Sequence, residues 1–272
     1  MRREVIQNMC FCIKQDGQES GGQNVKFYVS ASGNLLFFNE PIDMTKEIPK
    51  QEETQTQQNQ NTGAPKSDRP VVNLFVMSYC PYGLQMEKAM IPVMELLGDK
   101  VDFNIDYAHY IMHGKKEIDQ NTRQHCIEKE QPDKFVAYLR CFVQSDDHEK
   151  CMKEAGVDSV KLAACVAAED EKYNITGLYN DKSTWSSGRF PPYMVDAALA
   201  NKYGVRGSPT LIINGKTVSV NRSPEAVKEA ICNAFTTQPE ECSEKLSTQA
   251  EGPGIGALGS GSDSTSSGGC GA

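Results

Sequence analysis

Val71-Val72-Asn73-Leu74-Phe75-Val76-Met77-Ser78-Tyr79-Cys80-Pro81-Tyr82-Gly83 is the stretch on which the reading of this chain turns. Its first seven residues form a short, nearly continuous apolar run, the pattern of a strand buried on both faces. Beyond Gly83, the residues Met86, Met90, Val93, Met94 and Leu97 share one helical stripe, with Pro92 a predicted kink and Gly98-Asp99 a stop. Pro81 suits the first helical turn, which needs no N–H of its own. Cys80 therefore stands between a strand end and a helix start, where backbone N–H groups and the helix dipole favour an anion. That placement lowers a thiol pKa and frees the thiolate to attack a disulfide sulfur. The competing reading is a small buried residue in a turn.

Outward from this unit, Val101-Asp102-Phe103-Asn104-Ile105-Asp106 alternates with period two and predicts a second strand. Residues 114–200 are mostly helical in pattern. Asp133 to Val143 carries Phe135, Val136, Leu139 and Phe142 on one face, and Asp158-Ser159 reads as an N-cap before Val160 to Ala168. Tyr203-Gly204-Val205-Arg206-Gly207-Ser208-Pro209 then leads into Thr210-Leu211-Ile212-Ile213. Asn214-Gly215 is a strong hairpin-turn signal, Lys216 to Val220 returns as a strand, and Ser223-Pro224-Glu225 opens a last helix running to Phe235.

The flanks differ in character. Residues 1–48 predict a small β-hairpin segment, with Val25–Ser30 and Leu35–Phe38 as its strands. Residues 49–69 predict a polar linker, since 51–61 hold no apolar side chain. The main domain spans 70–246, with a helical insert over about 110–200. Residues 247–272, with 8 Gly and 6 Ser, predict a disordered tail.

The chain has 272 residues and a net charge of −8, which argues against a nucleic-acid footprint. Its longest charge-free stretch, Pro70 to Met86, is short for a membrane span and is broken by Pro81 and Gly83, so no transmembrane segment is expected. The ten cysteines are the most informative count. Cys126, Cys141, Cys151 and Cys165 lie 15, 10 and 14 residues apart, not in the close pairs that zinc requires. Structural disulfides, and hence an extracytoplasmic setting, are the expectation; no metal is. The start of the sequence turns polar at once and shows no secretory h-region, so no signal peptide is expected in this chain. Cys232 and Cys242 bracket the end of the last helix and read as a staple. The middle four make two bridges in one of three connectivities.

The order strand, Cys80-Pro81-Tyr82-Gly83, helix, strand, helical insert, Gly207-Ser208-Pro209, hairpin, helix resembles the DsbA-like thiol–disulfide oxidoreductases, over about Val71 to Phe235. The resemblance implies an α/β, thioredoxin-like fold with an inserted helical subdomain. It implies Cys80 as the attacking cysteine and a cis proline at Pro209 facing it. Ser208 would hold the substrate chain by a short β-type contact, with Pro81 and Tyr82 beside it. Protein thiols and disulfides are the implied partners, and no cofactor is needed because the chemistry resides in sulfur. The stretch Pro209 to Cys242 also resembles luminal thioredoxin-like segments of vacuolar sorting receptors, which are binding proteins.

The departure is Gly83. The family's usual motif is C-x-x-C, whose second cysteine resolves the mixed disulfide. Three readings stand open: a monothiol resolved by an external thiol, a resolving cysteine elsewhere in the chain (Cys10, Cys12 or Cys270), or a redox-inactive binding module for peptides or a protein partner. Weaker features are His109-x3-His113, read as polar loop histidines rather than a metal pair; Tyr79 and Tyr82, an aromatic rim or ordinary packing; and the charged run Glu169 to Lys172, read as a solvated helix end.

Overall fold

The strand β4, Val71–Val76, is buried from Val72 onward because it is paired on both edges. On one side it runs parallel to β5 (Asp102–Tyr107), with Val71 opposite Asp102 and Val76 opposite Tyr107. On the other it is antiparallel to β7 (Thr210–Ile213), and β8 (Lys216–Val218) closes the sheet through the Asn214-Gly215 turn. The order β5-β4-β7-β8, with a crossover helix after β4 and a hairpin followed by a last helix, is a thioredoxin-like α/β architecture. The computed structural model describes residues 63–261, the short strands at 6–9, 27–30 and 36–37, and residues 270–271.

The crossover helix α1, Pro81–Leu97, continues through Pro92. It is buried almost all round, because the sheet covers one side and the insert and the C-terminal helix cover the others. Polar side chains are consequently enclosed with it. Glu87 is 0% exposed, and among the described residues neither of its carboxylate oxygens has a hydrogen-bond partner. Burial pushes its pKa up to about 8.

The insert comprises α2 (Lys115–Glu130), α3 (Pro132–Ser145), α4 (His148–Ala155), α5 (Ser159–Tyr173) and α6 (Ile175–Asn180). Asp158 caps α5 by accepting the Val160 and Lys161 N–H groups at 2.9 and 3.1 Å. Cys126–Cys165 ties α2 to α5 and Cys141–Cys151 ties α3 to α4, which selects one of the three connectivities. Each bridge contributes roughly 2–4 kcal/mol to the subdomain. Glu169 corrects the reading of 169–172 as a solvated end. It is 2% exposed and held by Lys129 at 2.6 Å, so the run faces α2 at this position.

A short helix α7 (Ala197–Tyr203) returns the chain to the sheet, and α8 (Pro224–Cys232) packs beside α1. Ser223 caps α8 through the Ala226 N–H, and Cys232–Cys242 fastens the segment that follows. The β5 edge is blunted from within. Glu128 accepts the Ile105 N–H at 3.0 Å and Asp196 accepts the Tyr107 N–H at 2.9 Å, which occupies donors an edge strand otherwise presents.

Two boundaries differ from the sequence reading. The end of the expected linker is fastened to the domain: Ser67 exchanges backbone hydrogen bonds with Ala234 and Thr236, and Asn214 donates to Pro65 O at 2.6 Å. Residues 247–261, expected to be disordered, follow a defined path with Glu251 buried. Their backbone is satisfied by the domain: Glu251 N–H donates to Arg222 O, Gly254 N–H to Pro81 O and Gly256 N–H to Val143 O, at 2.8–3.0 Å. Residues 1–57 form a separate unit. Within it β2 (Phe27–Ser30) pairs antiparallel with β3 (Leu36–Phe37) on one side. On the other it pairs with a strand the sequence reading did not anticipate, β1 (Ile6–Met9). Other parts of the expected hairpin and linker, and Cys10 and Cys12, lie outside the described residues.

Candidate active site

Cys80 is the N-cap of α1, with extended backbone (φ −68°, ψ 121°), and is fully buried. Its N–H donates to Met77 O at 2.9 Å, closing the turn that leaves β4. Its Sγ accepts the Gly83 N–H at 3.4 Å, one of the donors that a helix start leaves without an intrahelical partner. That bond and the aligned peptide dipoles would stabilise negative charge on the sulfur.

Opposite Cys80 lies the loop before β7. The Ser208–Pro209 peptide is cis, and Ser208 O stands 3.4 Å from Cys80 Sγ. Ser208 is buried and its Oγ accepts the Met77 N–H at 2.9 Å, which locks this loop to the Cys80 turn. A Cβ built on Gly83 would lie 2.5 Å from Ser208 Oγ and 3.2 Å from Met77 O. The Ser208 hydroxyl thus fills the space that a side chain at position 83 would need.

Cys80 is joined to Cys270 in a disulfide across a sequence separation of 190 residues. Cys80 is therefore half of an intrachain pair, which departs from a single-cysteine mechanism and places Cys270, one of the three cysteines named as internal resolvers, at the site. The physical reason is a strand contact that sequence patterning does not reveal. Gly207–Ser208 form a short strand β6, and Cys270–Gly271 form β9 antiparallel to it, with Ser208 opposite Cys270. Cys270 packs onto an apolar cluster of Met77, Cys80, Ala108 and Tyr110, with Tyr82, Met112 and Phe190 at its margin.

The other expected site residues divide. Pro81 is exposed at the first helical position, and its carbonyl accepts from the tail at Gly254. Tyr82 sits at the margin of the Cys80 cluster with the Arg222 guanidinium 5.4 Å from its ring centre. Tyr79 turns the other way: its O–H donates to Asp146 at 2.8 Å and its ring packs edge-on to Phe142, so it is packing rather than rim. Burial and the Asp146 bond hold its pKa well above the usual tyrosine value. His113 pairs with Glu117, and among the described residues no group of three His, Cys, Asp or Glu side chains could hold a metal ion. His109 instead lines a cleft of about 370 Å³ with Tyr110, Phe190, Pro192 and Arg206. Tyr110 donates to Arg206 O at 2.8 Å and meets Phe190 edge-on at 6.1 Å. The sequence reading named His109 as a polar loop histidine but did not bring Tyr110, Phe190 or Pro192 to the site, because they lie in loops where no hydrophobic period marks a shared face.

No protein-family profile matches the chain, and no curated protein does either. Among solved structures the chain is similar to the oxidised DsbA of Mycobacterium tuberculosis, at 16% identity and a TM-score of 0.43 over 65% of this chain and 94% of that one. It is similar to BdbD of Bacillus subtilis, at 21% identity and a TM-score of 0.40 over 62% and 89%. MdbA of Actinomyces oris, described as a thiol-disulfide oxidoreductase, matches at 13% identity and a TM-score of 0.40 over 62% and 83%.

Proposed function

We propose that this chain is a thiol–disulfide oxidoreductase or isomerase that acts on protein thiols and disulfides through Cys80 in Cys80-Pro81-Tyr82-Gly83. The observation that carries the reading is the extended segment across Gly207–Ser208, whose cysteine is bonded to Cys80. A site that seats a strand on the backbone before Pro209, with a sulfur in line with Cys80, has the arrangement that exchange with an unfolded chain requires. Ser208 and Pro209 shape the groove, and Pro81 and Tyr82 border it. The cleft where Tyr110, Phe190 and Pro192 meet His109, Thr184 and Arg206 offers a mixed apolar and polar seat for a neighbouring substrate side chain. No organic cofactor enters the chemistry. The structural bridges Cys126–Cys165, Cys141–Cys151 and Cys232–Cys242 support an extracytoplasmic, oxidising setting. No helix among the described residues is long and apolar enough to cross a membrane.

A second reading, a thioredoxin-like module that binds a peptide or protein partner without turnover, draws on Gly83, which leaves α1 without a second thiol. The two part on one assay, oxidative refolding of a reduced, unfolded model protein in a thiol–disulfide buffer. The oxidoreductase reading expects acceleration by the wild type and its loss in Cys80→Ser. The same slow rate for both proteins would leave the binding module.

A further inference from the structure

We propose that Cys270 is the second redox cysteine of this site, delivered by the C-terminal strand in place of a thiol at position 83. The proposal rests on Cys80 being the nucleophile.

Three observations converge on it. First, Cys270 is bonded to Cys80 and stands opposite Ser208 in the β6–β9 pair, within the apolar cluster around Met77 and Tyr110. Second, the Ser208 hydroxyl closes the space at Gly83, so a second thiol must approach from outside α1. Third, residues 251–259 are anchored beside the site. Glu251 N–H is held by Arg222 O, Gly254 N–H by Pro81 O and Gly256 N–H by Val143 O, while Gln85 donates to Glu251 O at 2.5 Å. Gly259 N–H donates to the Glu251 carboxylate at 2.8 Å. Anchoring brings the start of the segment that leads to Cys270 beside the site, which raises the effective concentration of Cys270 at Cys80.

In the oxidising direction a substrate thiolate attacks Cys80 Sγ. The Cys80–substrate bond forms, the Cys80–Cys270 bond breaks, and Cys270 leaves as a thiolate that takes a proton. A second substrate thiolate then attacks the substrate sulfur of the mixed disulfide, and Cys80 leaves as a thiolate. The substrate loses two electrons and the Cys80/Cys270 pair gains them. In the reverse direction Cys80 thiolate attacks the disulfide of a substrate or of a small oxidant. One sulfur leaves as thiolate. Cys270 thiolate then attacks Cys80 Sγ, restoring the intrachain bond and releasing the second sulfur. A substrate strand and β9 need the same Gly207–Ser208 backbone, so the return of β9 that resolves the mixed disulfide also expels the product.

The test uses the full chain, reduced mildly at Cys80–Cys270 with the other three bridges verified by mass mapping. It is mixed with an extended peptide disulfide, acid-quenched over time, and its adducts are mapped. In the wild type a Cys80–peptide adduct is expected to appear and give way to Cys80–Cys270 at a rate independent of added thiol. In Cys270→Ser the adduct should form as fast and persist at least about tenfold longer. Equal adduct lifetimes in the two proteins overturn the proposal while leaving Cys80 as nucleophile. Absence of a Cys80 adduct in both overturns it together with the oxidoreductase reading.

Discussion

A methyl group at position 83 would lie 2.5 Å from Ser208 Oγ, and that hydroxyl is itself engaged by the Met77 N–H. Gly83→Ala is therefore expected to cost about 1–3 kcal/mol through overpacking beside Cys80. Ser208→Ala relieves the clash but strands the buried Met77 N–H, a loss of about 1–3 kcal/mol on its own. The double variant should be less destabilised than the sum of the singles, by about 1 kcal/mol. Denaturant titration of the four proteins checks this; strict additivity would mean that the two side chains do not compete for the space. The same geometry explains why Gly83→Cys, made alone, should restore a C-x-x-C motif without restoring a well-packed site. The sequence showed Gly83 as a missing thiol. It gave no sign that Ser208, assigned to substrate binding, also fills the gap, because the two residues lie far apart in the chain.

At the scale of elements, β4, α1 and the β7–β8 hairpin were legible because local rules write them, whereas the role of the Ser208-Pro209 loop came from the family resemblance alone. An apolar run makes a central strand, Pro81 follows an N-cap, and Asn214-Gly215 turns a hairpin. The elements that complete the site were not legible. Residues 247–261 are rich in Gly and Ser and lack a hydrophobic period, and their order comes from backbone hydrogen bonds to Pro81, Val143 and Arg222. Glu251 carries much of that order. Its carboxylate is buried, accepts from Gly259, and supports the charge of the buried Lys88, whose pKa is lowered by burial and raised in part by Glu251. Glu251→Ala should therefore loosen the tail. Limited proteolysis is expected to cut within 247–261, and Cys80–Cys270 should be reduced several-fold faster by a mild reductant, with the insert's bridges unaffected. Unchanged proteolysis and reduction would show that the backbone contacts suffice. Glu128 and Asp196 were hidden for a related reason: a carboxylate that caps the edge of β5 has the sequence signature of any surface charge.

At the scale of the whole molecule, buried acids with raised pKa values dominate the expected dependence of stability on pH among the described residues. Burial raises Glu87 to about 8, Asp196 to about 7 and Asp106 to about 6, and it raises Glu128 well above its ordinary value. In the unfolded chain these groups ionise near pH 4, so between that pH and their folded values the native state binds more protons. Stability is then full below pH 4 to 5 on this account and falls as pH rises toward 8. Glu225 acts in the opposite sense. Burial raises its pKa, but bonds from the Leu246 N–H and Lys228 hold it below normal, so its contribution fades below about pH 4.5. Denaturant unfolding is expected to show a maximum near pH 5 and a loss of at least about 3 kcal/mol by pH 8, with Glu87→Gln flattening the upper limb. A rise in stability from pH 5 to 8 would contradict the burial argument. The candidate site joins a turn near the start of the domain to Cys270, and the central proposal is that Cys80 is an activated nucleophile. The most direct test is the rate of Cys80 alkylation against pH in the selectively reduced full chain, followed by mass mapping. The account predicts fast reaction and a midpoint at least about one unit below the ordinary thiol value of about 8.5. A midpoint at or above that value, with Cys80 reacting no faster than a buried structural thiol, would contradict it.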